Sequence, residues 1–166
     1  EKDVEWSLSQ EDPNPNNAHR YVYSPTSIEV ETTKNPISQE KVVMVDAINH
    51  ALNEEMDLNP KMIIYGQDIA DPKGGVFTAT KGLSSKYGKD RVFNSPLAES
   101  SIIGTAIGLA VTGYKPVVEI QFADYIWTSM MQIRNEVVTM RYRSNNLWEC
   151  PLIIRAPVGG YINGGI

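Results

Sequence analysis

The chain has 166 residues, an apolar fraction of 42% and a formal net charge of −5. That length suits one domain with a tail, and the negative charge argues against nucleic acid or an anionic membrane surface as a partner. Cys150 is the single cysteine, so no internal disulfide is expected and a reducing compartment fits. The longest apolar stretch, residues 102–111, is broken by Gly104, Thr105 and Gly108 and falls short of the ~20 residues a membrane span needs.

Residues 1–37 read as an extended linker or tail. Asp12-Pro13-Asn14-Pro15-Asn16-Asn17 is turn-rich and polar and offers little to a core. The chain starts without methionine and stops in a glycine-rich run, Tyr161-Ile162-Asn163-Gly164-Gly165-Ile166, as a segment of a longer polypeptide would. From Ser38, with Gln39 and Glu40, the pattern becomes that of a helix start, followed by Val42, Val45, Ile48, Ala51, Leu52 and Met56 on one face. Asn59-Pro60 ends this helix. Residues 62–65 form a short buried strand, 66–75 a loop, and 80–87 a short helix stopped by Gly88. Residues 91–94 are the next strand, 99–112 a helix closed by Gly113, and 116–122 a strand. Residues 124–143 read as one long helix, with Trp127, Met130 and Met131 as core residues, and 152–155 as a last strand.

Strands alternating with helices specify an α/β fold, a parallel sheet covered on both faces. Ligands of such sheets gather beyond the carboxyl ends of the strands. Three segments belong there: Gly66-Gln67-Asp68, Leu97 to Glu99, and Gln121 to Tyr125. Glu99 opens an apolar, small-residue helix. A carboxylate there either interacts with the positive helix end, worth about 0.3–1 kcal/mol, or is a buried acid with a tuned pKa that faces a ligand. Gln121 and Tyr125 are either strand-end capping and helix-start packing or the wall of a ligand site. Gly104, Ala106, Gly108 and Ala110 permit close helix approach, within the subunit or between subunits. The 66–75 loop has no Walker or GxGxxG pattern and is a poor phosphate cradle. His19 and His50 cluster with no other metal-ligating residue, so no zinc site is expected. Arg141 and Arg143 are either solvated or reach a partner.

Taken in order, several motifs resemble one family. They are Gly74-Gly75-Val76-Phe77, Lys86-Tyr87-Gly88, Asp90-Arg91-Val92-Phe93-Asn94-Ser95-Pro96-Leu97-Ala98-Glu99, Val118-Glu119-Ile120-Gln121-Phe122-Ala123-Asp124-Tyr125-Ile126, Arg141-Tyr142-Arg143-Ser144, and Pro151 to Pro157. This series resembles the beta subunit of the thiamine-dependent 2-oxo acid dehydrogenases, from Ser38 to the end and nearest the branched-chain form. The resemblance implies a transketolase-like pyrimidine-binding domain over residues 38–166, truncated at its C-terminus. It implies that thiamine diphosphate lies with its pyrimidine here, and that its diphosphate and magnesium sit on an alpha part; the missing methionine and the Pro/Asn-rich lead-in point to that part being fused upstream in the same polypeptide. Glu99 matches the cofactor-activating glutamate, whose carboxyl group shares a proton with the aminopyrimidine. Leu97, Gln121 and Tyr125 match cofactor-contacting positions. The family also binds potassium near the positions of Leu152 and Ile153, but the connection 149–152 is shorter here. Gln67-Asp68 stands where the family has an acidic pair, and the family's histidine would follow Ile166.

The implied reaction is decarboxylation of a 2-oxo acid and transfer of the acyl group to a lipoyl arm of an acyltransferase component. The enzyme would be a dimer of alpha-beta units, in the bacterial cytoplasm or a mitochondrial matrix, and the present segment alone would be inactive. The alternatives are a pyruvate- or acetoin-type dehydrogenase, a transketolase-like enzyme, and a non-catalytic scaffold.

Overall fold

The structure is a computed structural model and describes residues 1–25 and 41–159. The expected helix start at Ser38-Gln39-Glu40 and the glycine-rich end 160–166 lie outside the described residues. Four strands, β1 (Met62–Gly66), β2 (Val92–Asn94), β3 (Lys115–Glu119) and β4 (Ile153–Arg155), form one parallel sheet in the order β2-β1-β3-β4. Ile64 aligns with Val92 on one side and Val117 on the other, and Val117 aligns in turn with Ile153. Side chains alternate across a pleat, so this row faces one layer of helix and the adjacent row the other.

The first layer contains α2 (Met44–Leu58) and α3 (Leu83–Tyr87). Met56, Ile64, Ile69, Leu83, Val92 and Val117 pack there with Leu52 and Tyr87. The second layer is α4 (Glu99–Val111), whose Ile102, Ile103, Ala106 and Ala110 lie against Tyr65, Val118 and Ile120. Each fully buried aliphatic side chain contributes about 1.5–3 kcal/mol. Apolar residues at 102, 103, 106 and 110 trace one face of a 3.6-residue repeat. The opposite face, with Ser101, Gly104, Thr105 and Gly108, is exposed. Gly113 closes α4 at φ +90°, a conformation that glycine adopts without a side-chain clash.

Three expectations change. The tail is not extended throughout: Lys2–Leu8 forms a short helix, α1, with no buried residue. The strand after α4 ends at Glu119, so Gln121 lies beyond it. The expected long helix is broken into a tight 3-10 segment (Ala123–Ser129), α5 (Met130–Gln132), a π turn (Ile133–Val137) and α6 (Met140–Arg143). The Ser100 hydroxyl donates to the Thr128 carbonyl and occupies an acceptor the regular helix would use. Ser129 donates to the Ile126 carbonyl at 2.8 Å, and Thr139 donates to the Asn135 carbonyl. Such back-bonding bends helices. The tighter repeat turns Ile126 and Ser129 inward and leaves Trp127 and Met131, expected in the core, 73% and 62% exposed.

Arg141 pairs with Glu149 at 3.0 Å and Arg143 with Glu136 at 3.1 Å, so both find partners within the chain. Cys150 is unpaired. No helix among the described residues is long and apolar enough to cross a membrane.

Candidate active site

β1 and β3 run side by side and end together, with Gly66 opposite Glu119. The approach is close: a Cβ on Gly66 would meet the Glu119 carbonyl oxygen at 2.5 Å. The chain leaves β1 as Gln67-Asp68 and leaves β3 as Ile120-Gln121. β2 ends beside them, and the elbow Ser95-Pro96-Leu97-Ala98 turns into α4. These three exits form one rim at the carboxyl ends of the strands, where parallel sheets bind ligands.

Glu99 is the first residue of α4, on that rim. Gln67 Nε2 donates to its Oε1 at 3.0 Å, and Thr128 Oγ1 lies 3.1 Å from its Oε2. Gln67 is 3% exposed and therefore a fixed donor. Burial pushes the Glu99 carboxyl up. Its own backbone N–H, the Gln67 amide and the Thr128 hydroxyl outweigh that and hold it below the usual carboxylate range. Glu99 is half-buried and ionised at neutral pH. It stands at a helix start, as the first reading has it, and its hydrogen bonds shift its ionisation downward against the effect of burial.

The other expected residues take different places. Leu97, at the elbow, is 82% exposed. Gln121 Nε2 reaches Asp68 Oδ2 at 3.4 Å rather than Glu99, and Lys73 pairs with the same Asp68 oxygen at 2.8 Å. Tyr125 is half-buried, packs edge-on against Phe122 at 5.9 Å between centroids, and touches the α4-side core. Thr128 Oγ1 lies 2.9 Å from the Tyr125 carbonyl and so joins Tyr125 to Glu99. Leu152 packs on the α4 side, whereas Ile153 is 60% exposed on the other face. No group of three or more His, Cys, Asp or Glu side chains able to hold a metal occurs among the described residues.

Sequence reasoning placed Gln67 on this rim without giving it a task toward Glu99; Thr128 and Glu119 are the rim residues it did not single out. Glu119 is 2% exposed, forms an ion pair with Arg155 of β4, and accepts the Val76 N–H at 3.0 Å. Glu119 could have been found as a charged residue inside an apolar strand. Thr128 carried no such signal, because its place depends on the 3-10 path of its segment.

An ionised carboxylate on a strand-end rim, with a polar amide wall and an exposed apolar side chain beside it, suits a flat, partly basic heterocycle. The chain belongs to the pyrimidine-binding family of transketolase type: residues 40–165 match the family described as Transketolase, pyrimidine binding domain. It is 48% identical over 122 residues to the 2-oxoisovalerate dehydrogenase subunit beta of Bacillus subtilis (strain 168), covering 74% of this chain and 37% of that protein. It is 42% identical over 123 residues to the pyruvate dehydrogenase E1 component subunit beta of the same organism, covering 74% of this chain and 38% of that protein. It is 46% identical over 123 residues to the mitochondrial 2-oxoisovalerate dehydrogenase subunit beta 2 of Arabidopsis thaliana, covering 74% of this chain and 34% of that protein. The chain thus spans little more than a third of the length of these relatives.

Proposed function

We propose that the chain is the pyrimidine-binding part of a thiamine diphosphate-dependent 2-oxo acid dehydrogenase, with Glu99 as its cofactor-activating acid. The observation that carries this reading is the ionised Glu99 carboxylate held on the strand-end rim by Gln67 and Thr128. A carboxylate has about four acceptor sites, and these two side chains leave capacity for a ring nitrogen. The residues present therefore fit an aminopyrimidine. Glu99 would hold a proton at the ring nitrogen, Leu97 would support the ring, and Gln121 and Tyr125 would line its wall. When bound, thiamine diphosphate supplies the electron sink that decarboxylation of a 2-oxo acid needs. Magnesium and the diphosphate belong, in this reading, to an alpha part, and a potassium ion near Leu152 and Ile153 remains a further element of it.

The substrate is a branched-chain 2-oxo acid such as 3-methyl-2-oxobutanoate, passed on as an acyl group to a lipoyl acyltransferase. Support comes from 48% identity to a 2-oxoisovalerate subunit against 42% to a pyruvate subunit of the same bacterium. The second reading, a pyruvate-type enzyme, rests on the latter figure. The compartment is the cytoplasm of a bacterium or the mitochondrial matrix, the latter on the name of the Arabidopsis relative.

The test uses the full-length protein with its alpha part. Glu99→Gln is expected to lower turnover of 3-methyl-2-oxobutanoate at least about 100-fold, the lower range for a positioned acid–base group, with the circular dichroism spectrum unchanged. Unchanged turnover would exclude the catalytic role and leave a scaffold. Faster turnover of pyruvate than of 3-methyl-2-oxobutanoate by the wild type would select the second reading.

A further inference from the structure

Glu119 is the one acidic side chain among those named as buried, and the activity proposed above gives it no task. It closes β3, and its Oε2 pairs with Arg155 Nη2 at the end of β4. Neither paired atom has another hydrogen-bond partner, so each charge is compensated by the other. Buried charges without compensation are strongly unfavourable, which fixes the two side chains together. The second carboxylate oxygen of Glu119 accepts the Val76 N–H at 3.0 Å. This is a contact with a loop distant in sequence.

That loop leads directly to Gln67. The Gly75 N–H, next to Val76, donates to the Asp68 carbonyl at 2.8 Å. Asp68 follows Gln67, whose amide holds Glu99 at 3.0 Å. The crossing point is tight: Gly75 has φ +76°, and a Cβ there would meet Thr80 Oγ1 at 2.7 Å and Glu119 Oε1 at 3.3 Å. The loop backbone is also unusual, with Asp68, Phe77 and Thr78 at φ +59°, +55° and +63°. Residues held in this region need surrounding structure to keep them there.

We propose that the buried Glu119–Arg155 pair is a positioning device for the site, tethering the loop at Val76 and through it setting Gln67 against Glu99. Glu119 is a positioning residue, since it reaches the reacting groups only through the loop. The inference rests on the proposed function, because it assigns the pair to the acid that function uses.

Changing Glu119 itself would strand a buried arginine and endanger folding. The informative variant is Val76→Pro, which removes the N–H donor and puts a ring carbon in its place, so that the Glu119 carboxylate loses its hold on the loop while both Glu119 and Arg155 are retained. Val76 is the first residue of a 3-10 turn after a glycine with ψ 179°, where a proline fits. Gln67→Ala and the double variant complete a cycle. All are made in the full-length protein with its alpha part, and the affinity for thiamine diphosphate with magnesium is measured by fluorescence titration beside kcat and KM for 3-methyl-2-oxobutanoate. Val76→Pro is expected to weaken cofactor binding and lower kcat by about tenfold, as loss of a hydrogen bond to a charged group would, with KM unchanged. The double variant is expected to behave as Gln67→Ala alone, because both changes break one chain of contacts. Wild-type affinity and kcat in Val76→Pro, or effects of the two changes that multiply in full, would overturn the inference while leaving the function intact. A wild-type protein that binds no thiamine diphosphate would overturn both.

Discussion

Asp71 illustrates, at the scale of one residue, how the loop beside the site is held. Its carboxylate accepts the Gly82 N–H at 2.8 Å, the Ser84 hydroxyl at 2.8 Å, and the Ser85 hydroxyl at 2.7 Å, capping α3 from a distant part of the chain. The Ser85 hydroxyl and then the Gly82 N–H lower its pKa to about 2 from an ordinary 3.8. A carboxyl group depressed in the folded state stabilises above its unfolded value, and that contribution disappears as pH falls through the folded value. Asp71→Asn is therefore expected to cost about 1 kcal/mol near neutrality, the usual worth of a helix cap. The difference in melting temperature from wild type should shrink between about pH 4 and pH 2; a constant difference across that range would refute the assignment. Glu99 and Asp71 differ in legibility. The sequence marked Glu99 because a carboxylate preceded an apolar helix. Asp71 carries no such mark in the sequence, because its partners lie more than ten residues away and depend on the path of the loop.

Elements were legible where one periodicity governed them. The α4 helix came out almost as expected, because its buried face follows the helical repeat and Gly113 ends it. Ile103 is 0% exposed at the centre of that face. Ile103→Ala is expected to destabilise the protein by about 2–5 kcal/mol by opening a cavity, measured by urea unfolding; a loss below about 1 kcal/mol would mean the helix packs loosely. The segment after β3 was less legible. Its apolar residues suit a helix, but Ser100 captures the Thr128 carbonyl and hydroxyls at 129 and 139 turn back on their own backbone. These are tertiary effects with no periodic signature. They also make Thr128 a partner of Glu99, so the same break that defeated the helix expectation completes the site.

Across the whole molecule, large apolar side chains remain uncovered: Trp127 is 73% exposed, Met131 62%, Leu147 81% and Trp148 58%. A chain that spans little more than a third of its relatives is expected to bury some of these against further domains or subunits. Light scattering on the intact protein should give a dimer of alpha-beta units, and a fully active monomer would contradict that. The α/β class and the rim were legible because strand–helix alternation sets the layers, and parallel strands bring their carboxyl ends to one side. The strand order was not, since nothing local in the apolar run of β1 says that it lies in the middle. That central position has a consequence for biosynthesis. Among the described strands β1 is translated first, yet its two neighbours, β2 and β3, come later, β3 after an intervening helix. Non-local parallel pairing is slow. Until Glu119 has emerged, the nascent chain carries one open edge on its most apolar strand, and that is the interval in which aggregation competes with folding.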